Sequence, residues 1–177
     1  RTYRVQSIEG LPRRKVTPDP KDLRRIRAER RQIVAALAQT TSVPYFLPGF
    51  IWPASGKISG VYGSQRILNG QPRRPHLGLD IAAPEGTPIV APVDGKVALT
   101  HPGMFFNGKT IIIDHGLHLS SIFIHLSEIF IRVGDTVKKG QVIGKIGKTG
   151  RTTGPHLHWG VRWRDIDLDP KLLVPSN

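Results

Sequence analysis

Arg74-Pro-His-Leu-Gly-Leu-Asp80 and Gly154-Pro-His-Leu-His158 are the two segments from which the fold and the chemistry of this chain are best inferred. Both have the composition of extended chain, and each carries two potential metal ligands. Because side chains of a strand alternate between its two faces, His76 and Asp80 project from one face, and the two histidines of the second segment do the same. Two such strands side by side would bring three or four imidazoles and a carboxylate together. This set of ligands is typical of a zinc site.

The rest of the chain from Pro44 onward predicts a β protein. Short apolar runs alternate with turns rich in Gly, Pro and Asp, and no helical pattern lies between them. This pattern of short strands and turns predicts a mainly β fold, an antiparallel β-sandwich or barrel. The predicted strands are residues 57–62, 87–91, 95–99, 110–114, 121–125, 141–146 and 158–163.

The N-terminal region differs from this pattern. Residues 1–18 predict an extended arm, and Asp19-Pro20 has the form of a helix start, with Asp as the cap and Pro in the first turn. Apolar residues at helical spacing then predict one amphipathic helix at about 20–39, with an Arg-rich outer face. We therefore divide the chain into a basic arm and helix, residues 1–50, and a β domain, residues 51–177.

Composition narrows the classes of partner and ligand. The formal net charge is +13, and residues 1–40 alone hold 11 Lys/Arg against 4 Asp/Glu, which favours an anionic partner. No signature of a nucleic-acid-binding module is present, so we expect no nucleic acid. The chain has no cysteine, so any metal must be held by nitrogen and oxygen ligands. No apolar run of membrane length is visible, so membrane anchoring would need sequence upstream of Arg1. The sequence leaves the oligomeric state open.

The remaining histidines include one further candidate for the site. His125 follows Ile122, Phe123 and Ile124, and regular alternation places it opposite an apolar face made by Ile122, Ile124 and Leu126. It is either an edge-strand histidine that faces water or a contributor to the site.

The other three histidines have weaker signals. His101 and His115 lie beside a proline and in an Asp-His-Gly turn, so we expect turn or surface positions for both. His118 lies where a loop passes into a strand, and its sequence context favours no role.

Zinc hydrolases need more than ligation. Three protein ligands leave one position open for water, and a base must take the proton of that water. Asp80 and two of the histidines satisfy the ligand count. No glutamate lies near these motifs, so the base must be a histidine that does not bind the metal. Spacing alone does not decide between His156 and His158 as the ligand.

The order of motifs resembles that of the M23 peptidases, the lysostaphin/LytM-type zinc endopeptidases of bacterial peptidoglycan. The pattern is His76-x-x-x-Asp80, then His125-Leu126, then Gly154-Pro-His-Leu-His-Trp159. Other motifs also resemble the family and follow its order: Ser59–Gly63, Gly86–Ala91, Gly134–Gly144 and Thr149–Gly154. The resemblance covers about residues 51–165 and implies the LytM-like antiparallel β-sandwich, also called the duplicated hybrid motif.

The resemblance also implies roles for the five residues. His76, Asp80 and His158 would bind one Zn²⁺ per chain, and His125 and His156 would be the catalytic pair beside the metal-activated water. The substrate would be a peptidoglycan peptide in the bacterial cell envelope, with the protein periplasmic or secreted. The basic helix ahead of the domain resembles envelope enzymes of Gram-negative bacteria, which favours D,D-endopeptidase cleavage.

Several points stay open at this level. Trp159 and Tyr62 are candidates both for the groove wall and for the core, and loops 64–75 and 100–109 are expected to set bond specificity. Alternative functions are a non-catalytic amidase activator of the same fold, a phosphotransferase-type phosphocarrier, or a lipoyl or biotinyl carrier using Lys145 or Lys148.

Latent relatives block their zinc with an upstream side chain, often Asn. The arm contains neither Asn nor His, so we expect that it does not plug the metal site. The only acidic side chains it offers are Glu9, Asp19, Asp22 and Glu29.

Overall fold

The structure is a computed structural model that describes residues 4–176. Strands dominate it. The strands are β1 Val5–Ile8, β2 Lys57–Gly60, β3 Gln65–Leu68, β4 Gln71–Pro72, β5 Leu79–Ala82, β6 Pro88–Val90, β7 Gly95–Met104, β8 Gly108–Asp114, β9 Leu119–Ile129, β10 Thr136–Val137, β11 Val142–Ile146, β12 His156–Trp163 and β13 Ile166–Leu168. The α-helices are α1 Arg13–Val16 and α2 Pro20–Ala38, and a 3₁₀ turn spans Pro170–Leu172.

The large sheet is antiparallel and folds around one core. Its strand order is β10-β7-β8-β9-β12-β5-β2, with β11 branching from β9 to pair with β6, and β13 pairing with β12. Fully buried residues from both branches meet in the core, including Ile89 of β6, Ile143 of β11 and Phe123 of β9. The prediction of a mainly β, antiparallel sandwich is confirmed.

Regular alternation positions the site along β5 and β12. Leu79 and Ile81 of β5 are at most 1% exposed and face the core, so Asp80 between them faces the opposite side. Leu157 and Trp159 of β12 are likewise fully buried. The antiparallel register places His158 directly across from Asp80. Trp159 is therefore a core residue, and it donates its indole N–H to Ser121 Oγ.

His125 breaks the alternation of β9, and the predicted faces of this strand were wrong. His125 has φ +69°. Phe123 of β9 pairs with Ile111 of β8, and Leu126 pairs with Lys109, so between these two pairs β9 has one residue more than β8. This is a β-bulge, which shifts every later side chain to the other face. As a result Phe123 and Leu126 both face the core, and His125 lies beside Ile124 on the groove side.

The predicted helix is confirmed to within a residue as α2. Asp19 stands at its N-cap position, but its side chain makes no capping hydrogen bond. Ala36, near the end of α2, packs with Ala98 of β7 and Ile112 of β8 in a second buried cluster. In the described part of the chain, no helix is both long and apolar enough to cross a membrane.

The predicted extended arm is more structured than expected. β1 pairs in parallel with β3, which in turn pairs with β4. The short helix α1 follows β1 along the chain. Leu11, Val16 and Leu68 form a small buried cluster that joins the arm to β3. The first three residues of the predicted arm lie outside the described residues. Non-local strand pairing of this kind leaves no signal in local sequence periodicity.

Candidate active site

A groove of about 750 Å³ crosses the face of β5 and β12. All five residues singled out from the sequence line it: His76, Asp80, His125, His156 and His158. Its walls come from the two loops expected to set specificity, from residues 151–155 and from the N-terminal arm.

Three of these residues bring one ligand atom each to a common point. His76 Nε2 lies 2.8 Å from His158 Nδ1 and 3.0 Å from Asp80 Oδ1, and the latter two atoms are 2.9 Å apart. In the described residues 4–176, this is the one group of three such donors close enough to hold a metal ion. Two imidazole nitrogens and one carboxylate oxygen are a donor set that zinc accepts, and they leave further positions open.

The surroundings orient these ligand atoms. His76 Nδ1 lies 3.0 Å from Val61 O, so this nitrogen donates its proton to the carbonyl and leaves Nε2 free as a ligand. The guanidinium of Arg66 donates to Asp80 Oδ2, the oxygen that faces away from the histidines. No side chain would fit at the neighbouring glycines: a Cβ on Gly78 would lie 2.7 Å from His158 Cε1, and one on Gly60 would lie 2.4 Å from Asp80 Oδ2.

Charge in the groove favours metal ligation. Burial opposes ionisation of Asp80, but its close contacts with His158 and His76 outweigh it, so the pKa of Asp80 lies well below its usual range. Burial lowers the pKa of His158, and Asp80 only partly offsets this effect. The site therefore presents a carboxylate and a neutral imidazole at neutral pH, which are the states that bind a metal.

The other two histidines lie next to each other in the same groove. The rings of His125 and His156 have centroids 4.8 Å apart. His125 Nδ1 lies 2.8 Å from Thr149 O, and His156 Nδ1 lies 3.0 Å from Gly154 O. Each Nδ1 therefore carries the proton, and each Nε2 keeps a lone pair that can accept one.

Burial keeps His125 uncharged. Burial, together with the nearby rings of His156 and His158, lowers the pKa of His125 to about 3. A neutral imidazole with its Nδ1–H held by a carbonyl is arranged as a general base. His125 does not face water as an edge-strand residue would, because it is only 6% exposed.

The remaining histidines lie outside the groove. His115 lies in the turn between β8 and β9, as expected, but it is fully buried and not at the surface, with Nδ1 2.8 Å from Asp94 O and Nε2 2.8 Å from Ser121 Oγ. His101 lies within β7 and accepts a hydrogen bond from Gly103 N–H, which corrects the turn assignment. His118 is exposed.

Tyr62 and the acidic residues of the arm also lie away from the metal ligands. Tyr62 O–H donates to Asp167 O and does not line the groove. Of the four acidic side chains that the arm region offers, Asp22 binds Arg14, and none belongs to the metal-binding group. The expectation that the arm is not a metal plug stays a prediction.

Residues that sequence reasoning missed support the five. Arg66 contacts Asp80, and the Thr152 hydroxyl lies 3.1 Å from His156 Nδ1. Thr152 stood inside a motif already noted, and Arg66 stood in a loop expected to line the groove. The contact of Arg66 could not be inferred, because β3 and β5 belong to different sheets that meet only in the folded protein.

Comparison with known proteins agrees with this geometry. Peptidoglycan DD-endopeptidase ShyA of Vibrio cholerae is 45% identical over 97 residues, which are 52% of this chain and 22% of that protein. A crystal structure from Pseudomonas aeruginosa described as an M23 peptidase superposes with a TM-score of 0.77 at 42% identity, and the match covers 86% of this chain and 62% of that one.

A zinc-containing peptidase from Vibrio cholerae gives a TM-score of 0.64 at 33% identity, over 68% of this chain and 39% of that one. The chain thus spans less than two thirds of the length of each of these relatives. The family model of peptidase family M23 matches residues 74–170, which is more than half of the chain. This segment contains all five of the residues singled out from the sequence. The chain therefore belongs to peptidase family M23.

Proposed function

We propose that this chain is a zinc-dependent endopeptidase that hydrolyses peptide bonds in the stems or cross-links of bacterial peptidoglycan. One observation carries the proposal: three ligand atoms within 3.0 Å of one another lie in the same groove as a pair of oriented histidines. Within this proposal His76, Asp80 and His158 hold zinc, and His125 and His156 are catalytic. A bound zinc ion would activate water and polarise the scissile carbonyl.

The protein's own groups supply the proton transfers. The lone pair on Nε2 of His125 or His156 accepts the proton of the attacking water, and an imidazolium formed in this way can protonate the leaving amine. The backbone carbonyls of Thr149 and Gly154 hold the two Nδ1–H groups. They therefore stabilise the charge that each ring gains when it is protonated.

The bond specificity and the location form the finer part of the proposal. We propose D,D-endopeptidase cleavage in the cell envelope, in the periplasm or after secretion, because ShyA, one of the similar proteins, is named as a peptidoglycan DD-endopeptidase. We also propose residues 51–177 as the peptidase domain and residues 1–50 as a separate arm and helix, because the buried residues of the main core begin at Phe50.

The carrier and activator functions have less support. Lys145 and Lys148 are paired with Glu128 and Glu85, whereas a lipoyl or biotinyl lysine must be free for modification. A phosphocarrier does not need a carboxylate such as Asp80 grouped with two histidines. A non-catalytic activator needs neither this group nor the pair of His125 and His156.

Digestion of purified peptidoglycan tests the proposal. The zinc-loaded chain should convert cross-linked fragments into uncross-linked ones by cutting the D,D bond, identified by mass spectrometry, and a chelator should abolish this conversion until zinc is restored. Stoichiometric zinc without cleavage of any peptidoglycan would contradict it. Cleavage at glycine bridges alone would overturn only the D,D assignment.

A further inference from the structure

Three arginines meet at the end of the groove nearest the N-terminal arm. Arg66, Arg73 and Arg151, here called the arginine cluster, all line the groove. They come from β3, from the loop after β4 and from the loop before β12. Burial lowers the pKa of Arg151, and the positive charges of Arg73 and Arg66 lower it further, so the three guanidinium groups lie close enough to repel one another.

Only one of these three positive charges is paired with a carboxylate in the described part of the chain. Among the described residues, the one ion pair that any of them makes is Arg66 with Asp80. That carboxylate also faces His76 and His158 through its other oxygen. Arg66 Nε is buried and has no hydrogen-bond partner. The cluster thus carries more positive charge than the protein around it compensates.

The other contacts of the cluster orient it and do not neutralise it. The Arg151 guanidinium stacks over the ring of Phe106, 4.5 Å from its centroid. Arg73 Nη2 donates to Val16 O at 2.9 Å, and Arg151 Nη1 lies 3.5 Å from Lys15 O. Since a guanidinium has five N–H donors, carbonyl contacts of this kind leave donors of both arginines for a ligand.

The two carbonyls belong to the arm. Lys15 and Val16 end helix α1, which the buried cluster of Leu11, Val16 and Leu68 holds against β3. Gln6, Ile8 and Leu11 of the arm also line the groove. The arm lies outside residues 74–170, the part of the chain that matches the family. It therefore adds a wall to the groove that the matched segment does not contain.

We propose that the arginine cluster binds a carboxylate of the substrate peptide and that the N-terminal arm holds Arg73 and Arg151 in place for this contact. Guanidinium groups bind carboxylates through paired, charge-assisted hydrogen bonds, and a partly buried site strengthens them. The inference rests on the proposed peptidase function. Two carboxylates of a stem peptide have the required chemistry: the side-chain carboxylate of a diaminopimelate residue and the C-terminal carboxylate.

Matched peptides test the proposal on the unaltered protein. Cross-linked stem peptides would be prepared with both carboxylates free, with only the side-chain carboxylate amidated, with only the C-terminus amidated, and with both amidated. We expect amidation of the carboxylate that is bound to lower kcat/KM roughly tenfold to a hundredfold, mainly through KM, the size expected when a hydrogen bond to a charged group is lost. Equal kcat/KM for all four peptides would overturn the proposal.

Binding separates this inference from the proposed function. Calorimetric titration of the zinc-loaded His125→Ala variant, which should retain zinc but lose turnover, measures how the same peptides bind to the arginine cluster. If the unaltered protein cleaves no peptide, the proposed peptidase function fails. Tighter binding of the free carboxylate than of its amide would then still support the cluster, and equal binding would overturn it.

Variants identify the residues and the role of the arm. Arg73→Gln and Arg151→Gln should reduce the ratio of kcat/KM between free and amidated peptides towards one, and Arg151→Lys should keep part of it. The matched control is Arg30→Gln on the exposed face of α2, which removes the same charge and should leave the ratio unchanged. An equal loss on both peptides in the groove variants would indicate a structural role only and overturn the assignment.

The arm is tested by Val16→Ala. Val16 is buried and does not line the groove, so this change loosens the arm without touching substrate. We expect a smaller ratio than in the unaltered protein. An unchanged ratio would overturn the positioning role of the arm.

Discussion

The two histidine pairs in the groove have the same ring separation and different surroundings. The centroids of His76 and His158 are 4.8 Å apart, as are those of His125 and His156. In the first pair a nitrogen of each ring faces the other ring and the carboxylate of Asp80. In the second pair each Nδ1 faces a backbone carbonyl. What a histidine contacts therefore separates a ligand from a base, and ring spacing does not.

The largest effect is expected when the first pair, His76 and His158, is disrupted. His76→Ala removes one of three ligand atoms, so we expect loss of both stoichiometric zinc and all measurable cleavage of peptidoglycan. Metal analysis of the purified protein checks this, with His118→Ala as the control because His118 is an exposed histidine outside the groove. Full zinc occupancy in His76→Ala would contradict the ligand assignment.

Breaking the second pair should leave the metal in place. His125→Ala removes a proton acceptor and no ligand atom, so we expect one zinc per chain and a fall in kcat of roughly 10²–10⁴-fold. Metal analysis and peptidoglycan turnover on the same preparation check both parts. Turnover near that of the unaltered protein would show that His125 is not catalytic.

His115 extends the comparison, because it is buried like His125 but lies outside the groove. Burial lowers its pKa to about 4 from 6.5, so between these pH values the unfolded chain binds a proton that the folded protein does not. The free energy of unfolding therefore falls as pH drops from 6.5 towards 4, and the part due to His115 is about 3 kcal/mol at most.

Denaturant unfolding at pH 7 and pH 4.5 measures this contribution. We expect His115→Gln to be less stable at pH 7 and to lose less stability on acidification than the unaltered protein, while His118→Gln keeps the original pH dependence. An unchanged pH dependence in His115→Gln would contradict the assignment.

The smallest effect is expected at the support of His156. Thr152→Val removes the hydroxyl 3.1 Å from His156 Nδ1, and this hydroxyl also donates to Gly154 O and accepts from Gly154 N–H. Loss of the hydrogen bond to His156, about 1 kcal/mol, predicts a fall in kcat of roughly fivefold with zinc retained. The control is Thr136→Val at an exposed position outside the groove. A fall of equal size in both variants would show that the hydroxyl has no specific role.

The parts of the molecule that follow local periodicity were predictable. Alternation placed Asp80 opposite its buried neighbours, and helical spacing located α2 to within a residue. The bulge at His125 was not predictable, because alternation assumes that every residue of a strand is paired.

Contacts across the sequence were also hidden. The arm pairs with β3 across some sixty residues, and Arg66 of β3 contacts Asp80 of β5, which belongs to the other sheet. Both depend on the completed fold, and no local spacing encodes them. The motifs therefore indicated which residues form the site, whereas the residues that orient them required the structure.

Zinc stoichiometry of His156→Ala and His158→Ala, measured side by side by native mass spectrometry, tests the division of labour most directly. The two histidines lie two residues apart on β12. The account predicts one zinc per chain and severely reduced turnover for His156→Ala, and neither zinc nor turnover for His158→Ala. Loss of zinc from His156→Ala, or its retention in His158→Ala, would contradict the separation of ligands from catalytic histidines.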